Sequence, residues 1–147
     1  MVAADYASAI ALWQRTEGMG LGESDTEAAI GAFLARNPGC SAIALIGAPS
    51  RLGRPYALMP TGEAAGVVLC GHDGRRGYLH HLAVAPGYRG RGLAKALIAF
   101  CFARLAEVAI QKCNIYVYRE NEPGVAFWRH NGWAEPTWKV FQKRVEC

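Results

Sequence analysis

Apolar positions recur at helical spacing in four places along the chain. Tyr6, Ile10 and Trp13 share a face, with Asp5 placed to cap the start and Glu17-Gly18 to end the helix. Ser24 and Glu27 have the S-x-x-E spacing of a capping box, predicting a second helix with Ile30, Phe33 and Leu34 inward and Asn37-Pro38-Gly39 as its stop. Leu97, Ile98, Cys101, Leu105 and Val108 mark a third helix opening at Leu93, and Asn121 to Asn131 a short fourth closed by Gly132. Strands are predicted over Ser41–Ile46, Ala65–Cys70, Tyr78–Val84 and Lys112–Tyr118, with one or two more over Trp133–Val145, broken near Pro136. In the Lys112–Tyr118 strand, Ile115 and Val117 take one face, Tyr116 and Tyr118 the other. Ala48–Gly62 is a polar, Pro-containing excursion, and Asp73-Gly74 a two-residue hairpin signal. No repeat interrupts this alternation, which predicts an α/β or α+β sandwich on a mixed sheet.

The chemistry concentrates where the Tyr78–Val84 strand, ended by Pro86, turns into the third helix. Gly87, Gly90 and Gly92 stand among Arg89 and Arg91, so backbone amides can lie bare and curl into a concavity for anionic oxygens, to which the helix N-terminus adds its dipole. Spacing separates the ligands that share this grammar. Gly87 and Gly92 fit the glycines of a P-loop, but Leu93 and Ala94 follow where Lys and Ser or Thr are needed. A dinucleotide fingerprint beginning at Gly90 would need a small residue where Lys95 stands.

Arg89, Gly92 and Ala94, preceded by Val84-x-Pro86-x-Tyr88, resemble the pyrophosphate loop of the GNAT superfamily of N-acetyltransferases, a Gln or Arg, two residues, Gly, one residue, then Gly or Ala. Downstream, Asn121, Ala126, Phe127, Trp128, Gly132 and Trp133 resemble the family's second element, and together the two cover about the last half of the chain. The resemblance implies a mixed, mostly antiparallel central sheet flanked by about four helices. The family's first strand would be short or missing here, since only Met1–Ala4 precede the first helix. Either the strand is very short or the chain starts upstream of Met1, and a missing edge strand would leave the next strand exposed, inviting pairing in a homodimer.

The same resemblance implies acetyl-CoA as co-substrate. Amides across Arg89, Gly90, Arg91, Gly92, Leu93, Ala94 and Lys95 would take the pyrophosphate, with Arg89, Arg91 or Lys95 meeting phosphate oxygens. The pantetheine arm would run between the Tyr78–Val84 and Lys112–Tyr118 strands, along the backbone of Leu82, Ala83 and Val84, with an amide near Leu82 as oxyanion donor and Asn121 in support. Glu17, Glu23 and Asp25, in and beside the linker of the first helix pair, are candidates to hold a cationic acceptor or are simply solvated acids. Arg75-Arg76 could fork a carboxylate, or are solvated at a hairpin tip.

An amine of pKa near 10.4 is only about 0.04% neutral at pH 7, so transfer needs a proton acceptor. His80 and His81 occupy strand positions where many family members carry acidic residues, and imidazole suits the task. Neighbours on a strand point to opposite faces, so only one should reach the site. Leu82 and Val84 share a face with His80, making His81 the more independent, and the pattern does not choose between them; either can equally be structural. Trp128 stands where the family usually has a Tyr near the sulfur; its indole can donate a hydrogen bond but deliver no proton. Tyr118 is a substitute acid or an aromatic packing on the sheet.

Composition narrows the rest. At 147 residues, 52% hydrophobic and 19% charged, the chain fits a single domain that folds as one core. No apolar run reaches the ~18 residues of a membrane helix and no signal peptide is visible, so a cytoplasmic protein without a membrane role is expected. Five cysteines include no C-x-x-C pair, favouring free thiols over disulfides, and no metal is expected. Net charge is +4. The arginines are scattered, so a polyanionic cofactor explains the excess better than nucleic acid. An acetyl-CoA-dependent N-acetyltransferase acting on a small-molecule or protein amine is thus the leading expectation. The alternative is a catalytically silent coenzyme A-binding module, motivated by Trp128.

Overall fold

The computed structural model describes residues 1–46 and 62–145. The Ala48–Gly62 excursion lies outside the described residues except for its last position. By backbone contacts the chain divides into two units, Met1–Tyr116 and Val117–Cys147.

In the first unit, α1 (Tyr6–Gln14) follows a 3-10 turn at Ala3–Asp5, and no strand precedes it among the described residues. The Asp5 carboxylate accepts the Val2 amide at 2.8 Å, so it closes that turn rather than capping α1. A second 3-10 turn, Glu23–Asp25, leads to α2 (Glu27–Arg36). The predicted Ser24–Glu27 capping box does not form. The Asp25 carboxylate folds back onto the Gly22 amide, which consumes Ser24 in the turn, and the Thr26 hydroxyl caps the helix by accepting from Ala29.

Four strands, β1 (Ala42–Leu45), β2 (Ala64–His72), β3 (Gly77–Val84) and β4 (Cys113–Ile115), form a sheet in that order among the described residues. The first two pairings are antiparallel and β3–β4 is parallel, so the sheet is mixed and mostly antiparallel as expected. The β2–β3 turn is wider than a two-residue hairpin. The strands pair up to His72–Gly77, and Asp73 accepts the amides of both Arg75 and Arg76, which hold its carboxyl below the usual range. The Arg76 guanidinium folds onto the Arg75 carbonyl at 3.0 Å. The predicted Lys112–Tyr118 strand is reduced to its first half. Tyr116 is exposed, and no pairing extends past Leu79–Ile115.

Both faces of this sheet are covered. Ala9, Leu12 and Trp13 of α1 and Ile30 and Leu34 of α2 pack with Val67, Leu69, Ala83 and Ala85. α3 (Leu93–Glu107) covers the other face with Leu97, Ile98, Cys101 and Leu105 buried. Glycines let it approach closely: a Cβ at Gly66 would lie 2.9 Å from Leu97, and one at Gly77 2.6 Å from Leu105. Val108, expected on the apolar face, is the half-exposed C-terminal cap, because the chain reverses at Ala109 with φ +58 and the Ile110 amide returns to the Leu105 carbonyl. Cys40, Cys70, Cys101 and Cys113 are free. The Cys101 thiol beside Cys70, together with burial, pushes Cys70 far up, and burial pushes Cys113 up to about 12.

The second unit contains α4 (Glu122–His130), whose Asn121 side chain accepts from the Gly124 amide and which ends at Gly132 with φ +83. The strands predicted over Trp133–Val145 are absent from its described residues. Trp138, Val140, Phe141 and Val145 are exposed, Phe141 to 91%, so the apolar alternation there finds no buried face within this unit.

Candidate active site

Two segments of the first unit hold the site residues expected there, the bulged part of β3 and the loop that follows it. Val67 pairs with Ala83, but Leu69 pairs with His80, so β3 spends one residue more than β2 across this interval. The extra residue makes a bulge at His81, whose φ is +52. An L-residue held there costs on the order of 1 kcal/mol and needs support from its surroundings. The support is visible: the Trp13 indole Nε1 donates to the His81 carbonyl at 2.8 Å, and His81 Nε2 lies 2.6 Å from Asp25 Oδ1.

The bulge corrects the expectation that the two histidines point to opposite faces. Before it, His80 meets Phe33 of α2 edge-on, with centroids 5.8 Å apart, and stacks on Tyr78. At it, His81 meets Trp13 of α1 at 5.0 Å. Both rings therefore look toward the helix pair. The face shared by later residues changes too, since Ala83 joins the helix-pair core where Leu82 and Val84 were expected beside His80. Burial, then the neighbouring His81, holds His80 below its ordinary value, with Asp25 opposing, which favours the neutral imidazole.

Asp25 is likewise not a free acid for a cationic acceptor. Its Oδ1 is taken by His81 and its Oδ2 by the Gly22 amide, its carbonyl accepts the Tyr6 hydroxyl at 2.9 Å, and its side chain is 12% exposed. Trp13 and the Asp25–His81 pairing were not legible beforehand. Trp13 reads as a core residue, which it also is, and only the bulge brings its N–H onto a strand carbonyl.

The second segment is the loop to α3. Pro86–Tyr88 form one 3-10 turn, after which Gly90 and Gly92 take φ +72 and +79. A Cβ at Gly87, Gly90 or Gly92 would meet nothing within 4 Å, so the backbone here is open to an approaching group. No side chain caps α3 at Gly92, leaving the amides of the first turn, Leu93, Ala94 and Lys95, directed outward along the helix start. Backbone amides at an uncapped helix start and glycines in left-handed conformation are a geometry that can receive anionic oxygens. Arg89 Nε donates to the Val84 carbonyl at 3.1 Å, tying the loop to the end of β3, and the Arg91 guanidinium lies 5.7 Å over the Tyr88 ring. β4 leaves β3 after Leu79, so the β4-side edge from His80 through Leu82 to Val84 runs on without a strand partner in the described sheet.

The remaining expected site residues belong to the second unit. Tyr118 is exposed and its carbonyl accepts the Asn121 amide at 3.0 Å. Asn121 caps α4, and Trp128 is buried edge-on between Phe127 and Trp133, at 5.1 and 4.7 Å. Among the described residues no group of three or more His, Cys, Asp or Glu is arranged to hold a metal ion, and no helix is long and apolar enough to cross a membrane.

Residues 32–133 match the model of the Acetyltransferase (GNAT) family. An acetyltransferase of Photorhabdus laumondii is 30% identical over 118 residues, covering 80% of this chain and 72% of that protein. An acetyltransferase of Sodalis glossinidius is 37% identical over 67 residues, covering 46% of this chain and 47% of the other, so the match spans about half the length of that relative. In three dimensions the chain resembles AAC(6')-Iy, solved with a bisubstrate analog, with a TM-score of 0.63 and 20% identity over 98% of this chain and 90% of that one.

Proposed function

Because the chain belongs to the acetyltransferase (GNAT) family, we propose that it is an acetyl-CoA-dependent N-acetyltransferase. It transfers acetyl to a primary amine of a small molecule or protein by direct attack in a ternary complex. The observation that carries this reading is the continuous run of bulged strand, glycine nest and uncapped helix start from His80 to Lys95. In this reading it joins an anion site to a proton-accepting site within one continuous segment.

In this reading the amides from Arg89 to Lys95 hold the pyrophosphate of acetyl-CoA, with Arg89, Arg91 or Lys95 neutralising its charge. The backbone of Leu82, Ala83 and Val84 guides the pantetheine arm along the β3 edge that β4 leaves open, and an amide near Leu82 donates to the oxyanion. One of the two bulge-side histidines takes the proton from the attacking amine as the N–C bond forms, and the C–S bond then breaks. Coenzyme A leaves as thiolate, which a thiol of pKa near 8.5 permits. AAC(6')-Iy was solved with CoA-S-monomethyl-acetylneamine, which supports an amine acceptor by likeness of fold.

The test is incubation with acetyl-CoA and a pooled panel of amines, amino acids and peptides, with coenzyme A and acetylated masses quantified by chromatography and mass spectrometry. Acceptor-dependent release of coenzyme A is expected. Binding of acetyl-CoA without release across the panel would favour the second reading, a coenzyme A-binding module, which the buried Trp128 at the usual Tyr position motivates.

A further inference from the structure

His81 is held at three points. Its ring nitrogen Nε2 meets Asp25 at 2.6 Å, its carbonyl accepts from Trp13 at 2.8 Å, and its ring packs on the Trp13 indole. Asp25 is in turn fixed by the Gly22 amide at 2.7 Å and the Tyr6 hydroxyl at 2.9 Å. The pair is largely withdrawn from water, with the His81 side chain 19% and the Asp25 side chain 12% exposed. An ionised carboxylate can only accept, so a hydrogen bond of this length puts the proton on Nε2. A neutral imidazole with its proton on Nε2 has its lone pair on Nδ1, and no hydrogen bond to Nδ1 is present among the described residues.

We propose that Asp25 is a positioning residue, holding His81 as the Nε2–H tautomer so that Nδ1 accepts the proton of the attacking amine. The inference rests on the transferase reading and chooses between the two histidines. The proton passes from the amine nitrogen to Nδ1; the Nε2 proton stays, and the Asp25 carboxylate offsets the imidazolium charge that develops. Among the described residues His80 has no such hydrogen-bond partner; its ring meets those of Phe33 and Tyr78. The arrangement also makes the lead-in to α2, rather than the strand alone, responsible for the geometry of proton transfer. The titratable groups facing His81 are Asp25 from that lead-in and His80 from β3, with the α1 hydroxyl of Tyr6 reaching it only through the Asp25 carbonyl.

Two measurements test this. Nitrogen NMR of the imidazoles in the wild-type chain, assigned with a His81→Asn variant, is expected to show Nε2 protonated and Nδ1 unprotonated near neutral pH. The opposite tautomer would overturn the proposal without any appeal to turnover or to a variant that folds poorly. Kinetically, Asp25→Asn should lower kcat on the order of 10- to 100-fold through lost alignment, with KM for acetyl-CoA unchanged. Asp25→Glu, which keeps the carboxylate, should restore part of the rate. An active wild type with kcat unchanged in Asp25→Asn sinks the inference alone. A wild type that binds acetyl-CoA and releases none to any acceptor sinks the transferase reading, and this inference with it.

Discussion

Around Gly90 and Gly92 the chain offers a ligand its backbone; around His81 it offers side chains. The first region works by subtraction. Side chains are missing, two residues take left-handed φ values, and α3 begins uncapped, so in the proposed function peptide amides would be the recognition groups. The second works by convergence, with α1 contributing Trp13, the lead-in to α2 Asp25 and β3 the bulged His81 itself. A backbone site tolerates side-chain change nearby but not a change of φ at its glycines. A converged site tolerates neither loss of a member nor a shift of register.

That difference predicts which assay each region controls. The largest effect is expected from His81→Asn, which retains a residue tolerant of positive φ while removing the imidazole. Turnover should fall about 10²- to 10⁴-fold while acetyl-CoA affinity, read by calorimetry, stays put. Parallel loss of affinity would mean that the two regions are one. Next is Gly92→Val, which puts a β-branched residue at φ +79. With a strain of about 1–3 kcal/mol, acetyl-CoA affinity should drop roughly 10- to 100-fold, and kcat at saturation should hold. A kcat defect of the same size would contradict the division.

A smaller effect concerns pH. His80 is held below its ordinary value of 6.5, chiefly by burial. Between that lowered value and 6.5 the unfolded chain binds more protons than the folded one, so stability falls as pH drops through this window. Melting temperatures across mildly acidic buffers should show a decline in the wild type that is flatter in His80→Gln; identical curves would show that His80 does not titrate this way. Smallest of all, Ala109→Gly relieves φ +58 at the end of α3, far in sequence from both regions. It should raise stability by about 0.5–1 kcal/mol, and leave kcat and acetyl-CoA affinity unchanged.

The same contrast governs what could be read before the structure. The turn between β3 and α3 was legible because its glycines mark it, and α3 and α4 because their periodicity and end signals agree. The convergence was not. A bulge inserts a single residue, and Tyr78 to Val84 carries no mark of where it falls, so strict alternation wrongly separated His80 from His81. Ser24 and Thr26 are both plausible caps in isolation, and the choice fell to Asp25 folding back on Gly22. Beyond Trp133 the alternation of apolar residues suggested strands, yet pairing needs a neighbour as well as a pattern, and Phe141 and Val145 remain exposed.

The thiols sealed among β2, α3 and the chain before β1 have a practical consequence. Cys40, Cys70 and Cys101 are buried, so alkylating reagents lack access until the core opens; burial raises Cys40, and the Cys101 thiol, then burial, raises Cys70, so these two also present little thiolate. The chain thus carries its own internal clock of opening. Pulse alkylation read by intact mass would count core exposures one cysteine at a time, without an added label.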